Sequence, residues 1–187
     1  MNGAIDGYKI SIFTSEHSEL DARSKRRLSA IEINLHSKLD VYGAVASGGM
    51  VPVVEAIELH QEFKPKTKKW DDSYVVRTRD TNYMKKYLND ERLDKILDLM
   101  AEEKVWVILL FLGDTGILRL DTPLPLDDPK RIDFLVKKLI DAARVLELKK
   151  GEDKDLLREI SESNEKQKTL DIDDDLLGDD IGFELED

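Results

Sequence analysis

Two hydrophobic periods run through this sequence, and they occupy separate stretches of it. Apolar residues recur at every second position in Tyr8–Thr14, Leu28–His36 and Val53–Phe63, which indicates half-buried β-strands. They recur at helical spacing in Leu93–Met100 and again after Asp128. Strands therefore come first, followed by helices, a hairpin and a long helix. This segregated order predicts an α+β fold with a mostly antiparallel sheet and helices packed on one face.

Local signals mark further elements in the middle of the chain. Tyr74–Thr78 is typical of a fourth strand because it is short and rich in β-branched and aromatic residues. Asp80 or Thr81 is suited to cap a short helix, and Asn89 or Asp90 to cap the next one. We therefore predict two consecutive helices after the fourth strand.

A hairpin and a long helix follow. Val105–Leu112 is the longest apolar run, and Ile117–Leu120 pairs with it across the turn residues 113–116. Asp128 precedes Pro129, a combination that favours an N-cap and the first helical position. The long helix is predicted to begin there.

Three segments lack a clear hydrophobic period and are predicted to be irregular. Ser15–Arg27 is polar, Val41–Pro52 contains three glycines, and Lys64–Asp72 is a lysine-rich turn. Gly151 is a fitting end for the long helix. A charged stretch with few apolar residues follows it.

Negative charge is concentrated at the end of the chain. The net charge is -11, from 29 basic and 40 acidic residues, and residues 171–187 hold nine of the acids and no basic residue. The other 170 residues therefore carry 31 acids against 29 bases, a balance of -2. We predict a single domain over residues 1–150, a charged peripheral helix or linker over 151–170, and a disordered acidic tail over 171–187.

Composition excludes several classes of protein. The chain has no cysteine, which rules out disulfides, thiolate zinc sites and cysteine nucleophiles. No run approaches the roughly 18 apolar residues of a membrane-spanning helix, and the N-terminus lacks a signal-peptide pattern. We expect a soluble, cytoplasmic chain that needs no cofactor.

Part of the pattern resembles a family of unknown activity. A Gly7-Tyr8 opening strand, a strand running into Phe63, and the segment Tyr74–Asp80 are followed by helix, hairpin and closing helix. This order is similar to the soluble domain of uncharacterised bacterial membrane-associated proteins. The resemblance implies a fold over about residues 3–146, and it implies no catalytic residue.

Candidate chemistry is sparse. His36 and His60 would lie on the exposed sheet face beside Glu32 and Glu58, where they are weak candidates for a metal or small-ligand site. Residues 43–49, with three glycines, are flexible enough for an anion but lack a nucleotide-binding pattern. An enzyme or small-ligand binder using either place remains the alternative reading.

Two basic clusters suggest a docking face for an acidic partner. The clusters consist of Arg23, Lys25, Arg26 and Arg27, and of Lys64, Lys66, Lys68 and Lys69. Because the body as a whole is not basic, we expect no nucleic acid partner. Acidic proteins or the chain's own tail would suit these clusters.

The acidic tail alternates carboxylates with large apolar residues, a composition suited to a linear binding motif. Ile181, Phe183 and Leu185 would be the anchors, and Asp179 and Asp180 would steer them. Asp179–Phe183 resembles the acidic tip by which bacterial single-strand-binding proteins recruit partners, although four residues follow Phe183 here. We therefore predict a non-enzymatic interaction or adaptor protein, with a plain solubilising tail as the alternative; the oligomeric state stays open.

Overall fold

The computed structural model describes residues 1–18, 25–37, 39 and 41–158 of the chain. The chain divides into two units, Met1–Lys149 and Lys150–Asp187. In the second unit, residues 152–158 are helical, in the stretch where a short peripheral helix is predicted. The predicted acidic tail, residues 171–187, lies outside the described residues.

The first unit is α+β, as predicted. Its strands are β1 (Asn2–Ile5), β2 (Tyr8–Ser18), β3 (Lys25–Leu35), β4 (Tyr42–Ala46), β5 (Gln61–Glu62), β6 (Val75–Thr78), β7 (Trp106–Leu112) and β8 (Thr115–Thr122). Its α-helices are α1 (Val51–Glu55), α2 (Thr81–Tyr87), α3 (Asp90–Met100) and α4 (Pro129–Leu146), with a 3₁₀ turn at Gly48–Met50 before α1.

All eight strands form one sheet in the order β1-β2-β3-β8-β7-β4-β6-β5, and every pairing is antiparallel. The long-range pairing of β3 with β8 aligns Ile31 with Leu120 and Ile33 with Leu118. All four of these side chains are buried. The alternation of Ile31, Ile33 and Leu35 inward, against Glu32 and Asn34 outward, is confirmed.

The predicted loop at Ser15–Arg27 is partly wrong, because β2 runs to Ser18 and β3 begins at Lys25. The register of this hairpin continues to the pair Ser18–Lys25. Hydrophobic alternation marks a strand only where one of its faces is buried. Backbone pairing extends this ribbon beyond the alternating residues, so the pattern missed its outer part.

The predicted loop at Val41–Pro52 is also wrong, because its first half is β4, between β6 and β7 in the sheet. Ala44, Val45 and Ala46 are all fully buried. A strand that is covered on both faces loses the polar-apolar alternation that identifies half-buried strands. Small residues in such a strand are easily taken for a glycine-rich loop.

The predicted strand at Val53–Phe63 is mostly wrong, since only Gln61–Glu62 is a strand. Pro52 lies at the start of α1, where its missing N–H costs nothing. Leu59 is nevertheless buried and Glu58 and His60 are exposed, as the alternation implied. Burial was predicted correctly there, although the backbone is irregular.

Helices lie on both faces of the sheet rather than on one. On one face, the Tyr87 ring of α2 meets Phe111 of β7 edge-on at 5.1 Å between centroids. The opposite face carries a buried cluster in which Val54 of α1 packs with Ala44, Ala46 and Ile108. The short α1 therefore covers the β4–β6–β7 end of a face that was expected to be solvent-exposed.

The predicted caps of α2, α3 and α4 are confirmed. The carboxylate of Asp80 accepts from the N–H groups of Asn82 and Tyr83, and the side chain of Asn89 accepts from that of Arg92. Asp128 caps α4 as predicted, but the helix ends at Leu146 and not near Gly151. Within the described ranges, no helix is long and apolar enough to cross a bilayer.

Candidate functional site

The lysine-rich loop forms one wall of a groove on the surface of the first unit. The groove, here called the lysine groove, is lined by residues 63–67 of the loop, by Lys85 and Leu88 at the end of α2, and by Asp90 and Leu93 of α3. Its volume is about 440 Å³. Leu88 and Leu93 are buried and supply an apolar floor beside charged rims.

The loop is held in shape by its own backbone hydrogen bonds. The N–H of Phe63 donates to the carbonyl of Val76 in β6 at 3.4 Å, which ties the loop to the sheet. Thr67 donates to Pro65 at 3.0 Å, and Trp70 donates to Thr67 at 3.2 Å. The indole of Trp70 also meets Tyr74 edge-on. The loop therefore presents its lysines from a defined backbone.

Two helix caps place the opposite wall of the groove. Asp80 fixes the start of α2, and Asn89 fixes the start of α3 directly after Leu88. As a result, Lys85 projects from α2 toward the loop, with its ammonium 5.4 Å from the centre of the Phe63 ring. A cation in this position is attracted to the ring face while it stays exposed to solvent.

The lysines of the loop differ in their electrostatic partners. Lys64 is paired with Asp72 at 2.9 Å and Lys69 with Asp94 at 3.0 Å. The hydrogen bond to Asp72 raises the pKa of Lys64, and that to Asp94 raises the pKa of Lys69. In the described part of the chain, no carboxylate pairs with Lys66 or Lys68.

The groove therefore holds two ammonium groups that have no salt bridge among the described residues, Lys66 and Lys85. Asp90 also lines it, so its charge is not uniformly positive. Chemically, this arrangement suits an anionic group at the rim next to an apolar group on the floor.

The other basic cluster is described only in part. Arg23 lies outside the described residues, and the side chains of Lys25 and Arg26 in β3 are likewise not described. Arg27 is exposed near the start of β3. Of the two clusters, only the one at 64–69 is shown to border a groove.

The histidine pair is not brought together. His36 follows β3, and its ring stacks on Tyr8 with 4.8 Å between centroids. His60 precedes β5, and four strands lie between β3 and β5 in the sheet. Five strand spacings place the two about 24 Å apart. Among the described residues, no group of three or more metal-binding side chains converges.

The two glutamates named with these histidines have different neighbours. Glu32 of β3 lies opposite Arg119 of β8, and the carbonyl of Glu58 accepts a bond from Arg79 at 3.4 Å. Arg119 also forms a bidentate pair with the fully buried Asp121, at 2.7 and 2.8 Å. Its hydrogen bond to Asp121 raises the pKa of Arg119. Sequence reasoning missed this pair.

The glycine segment 43–49 is packed rather than open. Its first half is β4, and the side chain of Ser47 accepts a hydrogen bond from the N–H of Val107 at 3.0 Å. A β-carbon built on Gly48 or Gly49 would lie 2.3 or 2.5 Å from the indole of Trp106. These glycines make room for a tryptophan ring, and an anion would have to displace that ring.

Sequence reasoning found half of the lysine groove. It singled out the loop lysines but missed Phe63 and Lys85, which meet only because β5 and β6 pair and α2 follows. The predicted tail anchors Ile181, Phe183 and Leu185, and the acids Asp179 and Asp180, lie outside the described residues.

Comparison with known proteins adds no family to this description. No protein-family model matches the chain, and no curated protein matches it.

Proposed function

We propose that this chain is a non-enzymatic protein-interaction module of the adaptor type. Its acidic-hydrophobic segment, residues 171–187, acts as a linear motif for one partner, and the lysine groove acts as a partner-binding surface of the folded unit. The observation that carries the proposal is the groove itself, in which exposed ammonium groups flank an apolar floor.

The magnitudes indicate which residues dominate binding by the tail segment. Burying one large apolar side chain contributes roughly 1.5–3 kcal/mol, whereas an exposed ion pair contributes roughly 0.2–1 kcal/mol. Ile181, Phe183 and Leu185 would therefore supply most of the affinity. The acids around them would steer the encounter and exclude partners of like charge.

Affinity capture from cells tests the role of the tail segment. The intact chain is compared with a chain that ends at Lys168 and with the full-length variant Ile181→Ala/Phe183→Ala/Leu185→Ala. We expect a partner that is recovered with the intact chain and lost with both variants, and that binds the purified intact chain directly. The Asp153→Ala variant, outside the motif, should behave like the intact chain.

Identical partner lists for the intact chain and both variants would contradict the adaptor proposal. The triple variant keeps every acid of the segment, so it separates the anchors from the charge. A loss seen only on truncation would indicate a charged, solubilising segment and would also count against a linear motif.

A further inference from the structure

The lysine groove has features that select among possible occupants. Its floor consists of the buried Leu88 and Leu93 and the half-buried Phe63, and its rim carries Lys66 on one wall and Lys85 on the other. The two walls come from different elements, so a ligand between them would meet an ammonium group on each side. A flat basic patch would instead present all its ammonium groups to one side of a ligand.

The pairing pattern indicates where new negative charge would be accepted. Lys64 and Lys69 already have carboxylate partners in Asp72 and Asp94. Lys66 and Lys85 have no such partner in the described residues, and they are the two that face the groove from opposite walls. An incoming carboxylate would gain an ion pair there without breaking one.

The apolar floor narrows the choice further. A free inorganic anion would leave the half-buried Phe63 ring uncovered, together with the edges that Leu88 and Leu93 still expose, 6% and 8% of their surface. A neutral apolar peptide would leave both ammonium groups unused. A segment that places one large apolar side chain on the floor, with carboxylates on either side of it, satisfies both parts of the groove.

We infer that the lysine groove binds a partner protein through an extended acidic segment with a single aromatic or large aliphatic anchor. The anchor packs between Leu88, Leu93 and the Phe63 ring, and flanking carboxylates pair with Lys66 and Lys85. This inference rests on the proposed interaction function, and it assigns the chemistry of the partner that the folded unit binds.

Direct binding of a synthetic peptide tests the inference. The probe is a fluorescein-labelled peptide with the sequence of residues 171–187, which carries the required chemistry. The protein is the full-length chain with Ile181, Phe183 and Leu185 changed to alanine, so that its own anchors do not compete. We expect saturable binding by fluorescence anisotropy, and we expect it to weaken several-fold between low and high salt because exposed charges are screened.

Charge reversal locates the site. Lys66→Glu/Lys85→Glu should weaken binding by at least about tenfold and remove most of the salt dependence. The matched control is Lys68→Glu, in the same loop but outside the groove, for which we expect less than about a threefold change. All three lysines are exposed, so the variants should unfold within a few degrees of the parent, the small difference coming from the contact of Lys85 with the Phe63 ring.

Changes in the probe locate the anchor. A peptide with Phe183→Ala should bind about tenfold more weakly, as expected when a large buried side chain is lost. A peptide with its aspartates changed to asparagine and its glutamates to glutamine should lose the salt dependence. Methyl resonances of Leu88 and Leu93 should shift on binding of the intact probe.

Two outcomes would overturn the inference. One is no binding of the probe up to about 1 mM, the weak limit of a specific contact. The other is an equal loss of affinity for the groove variant and for Lys68→Glu, which would indicate general attraction to the loop. Either result would remove the groove as a partner-binding surface but would leave the test of the tail segment by affinity capture unaffected, so the groove and the tail parts of the proposed function fail separately.

Discussion

Arg92 is among the largest side chains that are completely buried in the described part of the chain. Its guanidinium donates to three backbone carbonyls, those of Tyr87, Val145 and Glu147, at 2.9 to 3.2 Å. It also lies over the Tyr87 ring, 4.6 Å from the centroid. A buried charge is tolerable only when its donors are satisfied, and here they close the ends of α2 and α4.

We expect Arg92→Met to lower the free energy of unfolding by roughly 3 kcal/mol, because it leaves buried carbonyl groups without a donor. Urea unfolding followed by circular dichroism measures this. Lys137→Met, at a side chain that is 77% exposed, is the matched control and should change stability little. Similar losses for both variants would show that the carbonyl contacts of Arg92 contribute little.

The contribution of Arg92 could not have been predicted from its position in the sequence. The stripe of Leu93, Ile96, Leu97 and Met100 identified the buried face of α3, and all four are buried. Arg92 precedes that stripe, and its partners at Val145 and Glu147 lie more than 50 residues away. Periodicity predicts which face of a helix is apolar but says nothing of a distant carbonyl.

Gly49 is required for a different reason, which is the close approach of Trp106. A β-carbon at residue 49 would lie 2.5 Å from the indole ring, whereas one at Gly3 would meet nothing within 4 Å. We expect Gly49→Ala to destabilise the fold by about 1–3 kcal/mol through overpacking. Gly3→Ala should be close to neutral. Thermal unfolding of the two variants, followed by Trp fluorescence, compares them; equal stabilities would argue against steric packing at Gly49.

At the scale of elements, the starts of α2, α3 and α4 were predicted well, whereas α1 was missed and strand ends were predicted poorly. Helix caps are local signals, since Asp80, Asn89 and Asp128 each act on an N–H two or three residues ahead. The buried strand β4 has no such signal, because its partners β6 and β7 come from later in the chain. The residues of β4 can be recognised as a strand only when their pairing with β6 and β7 is known.

The adjacent acids at the start of α4 provide a matched pair for testing the cap. Asp128 accepts from the N–H of Lys130 at 3.0 Å, while Asp127 is exposed, one residue before the cap. We expect Asp128→Ala to cost about 1 kcal/mol of stability, and Asp127→Ala to cost a few tenths at most. Chemical denaturation of both variants distinguishes them. A larger loss at Asp127 would mean that the helix start is assigned one residue too late.

At the scale of the whole molecule, the sequence indicated the fold class but not the order of the strands in the sheet. The expected meeting of His36 with His60 depended on that order, and the four strands β8, β7, β4 and β6 lie between β3 and β5 and separate the two histidines. The lysine groove depends instead on the pairing of β5 with β6, which brings the loop beside α2 and α3. Such arrangements follow from pairings between distant segments, which single-sequence patterns do not contain.

A carboxylate at the end of α4 joins parts of the chain that are about 110 residues apart. Glu147 accepts from the N–H groups of His36 and Ser37 at 2.7 and 2.6 Å and from the hydroxyl of Ser37. The hydroxyl oxygen accepts in turn from the N–H of Leu148 at 2.6 Å. Tyr8 lies beside this junction; burial raises its pKa, and the nearby Glu147 raises it further.

A double-mutant cycle measures how strongly this junction is coupled. We expect Ser37→Ala to cost about 1 kcal/mol and Glu147→Ala about 2 kcal/mol, since the second removes the acceptor of three donors. The double variant should cost less than the sum, with a coupling of at least about 0.5 kcal/mol. Asp141→Ala, whose carboxylate pairs with Arg144 on the exposed side of α4, is the control and should add no coupling.

Titration of Tyr8 gives an independent readout of the same junction. Folding raises the pKa of its phenol, so the folded state favours the neutral form. The resulting contribution to the free energy of unfolding is complete below about pH 10, and it is lost as the pH rises through the raised pKa. Glu147→Ala should lower the pKa of Tyr8 and so reduce the loss of stability at alkaline pH. Tyr8→Phe, which has no phenol to titrate, should reduce that loss as well. An unchanged phenol titration, together with additive losses in the cycle, would mean that Glu147 does not join β3 to the end of α4 in solution.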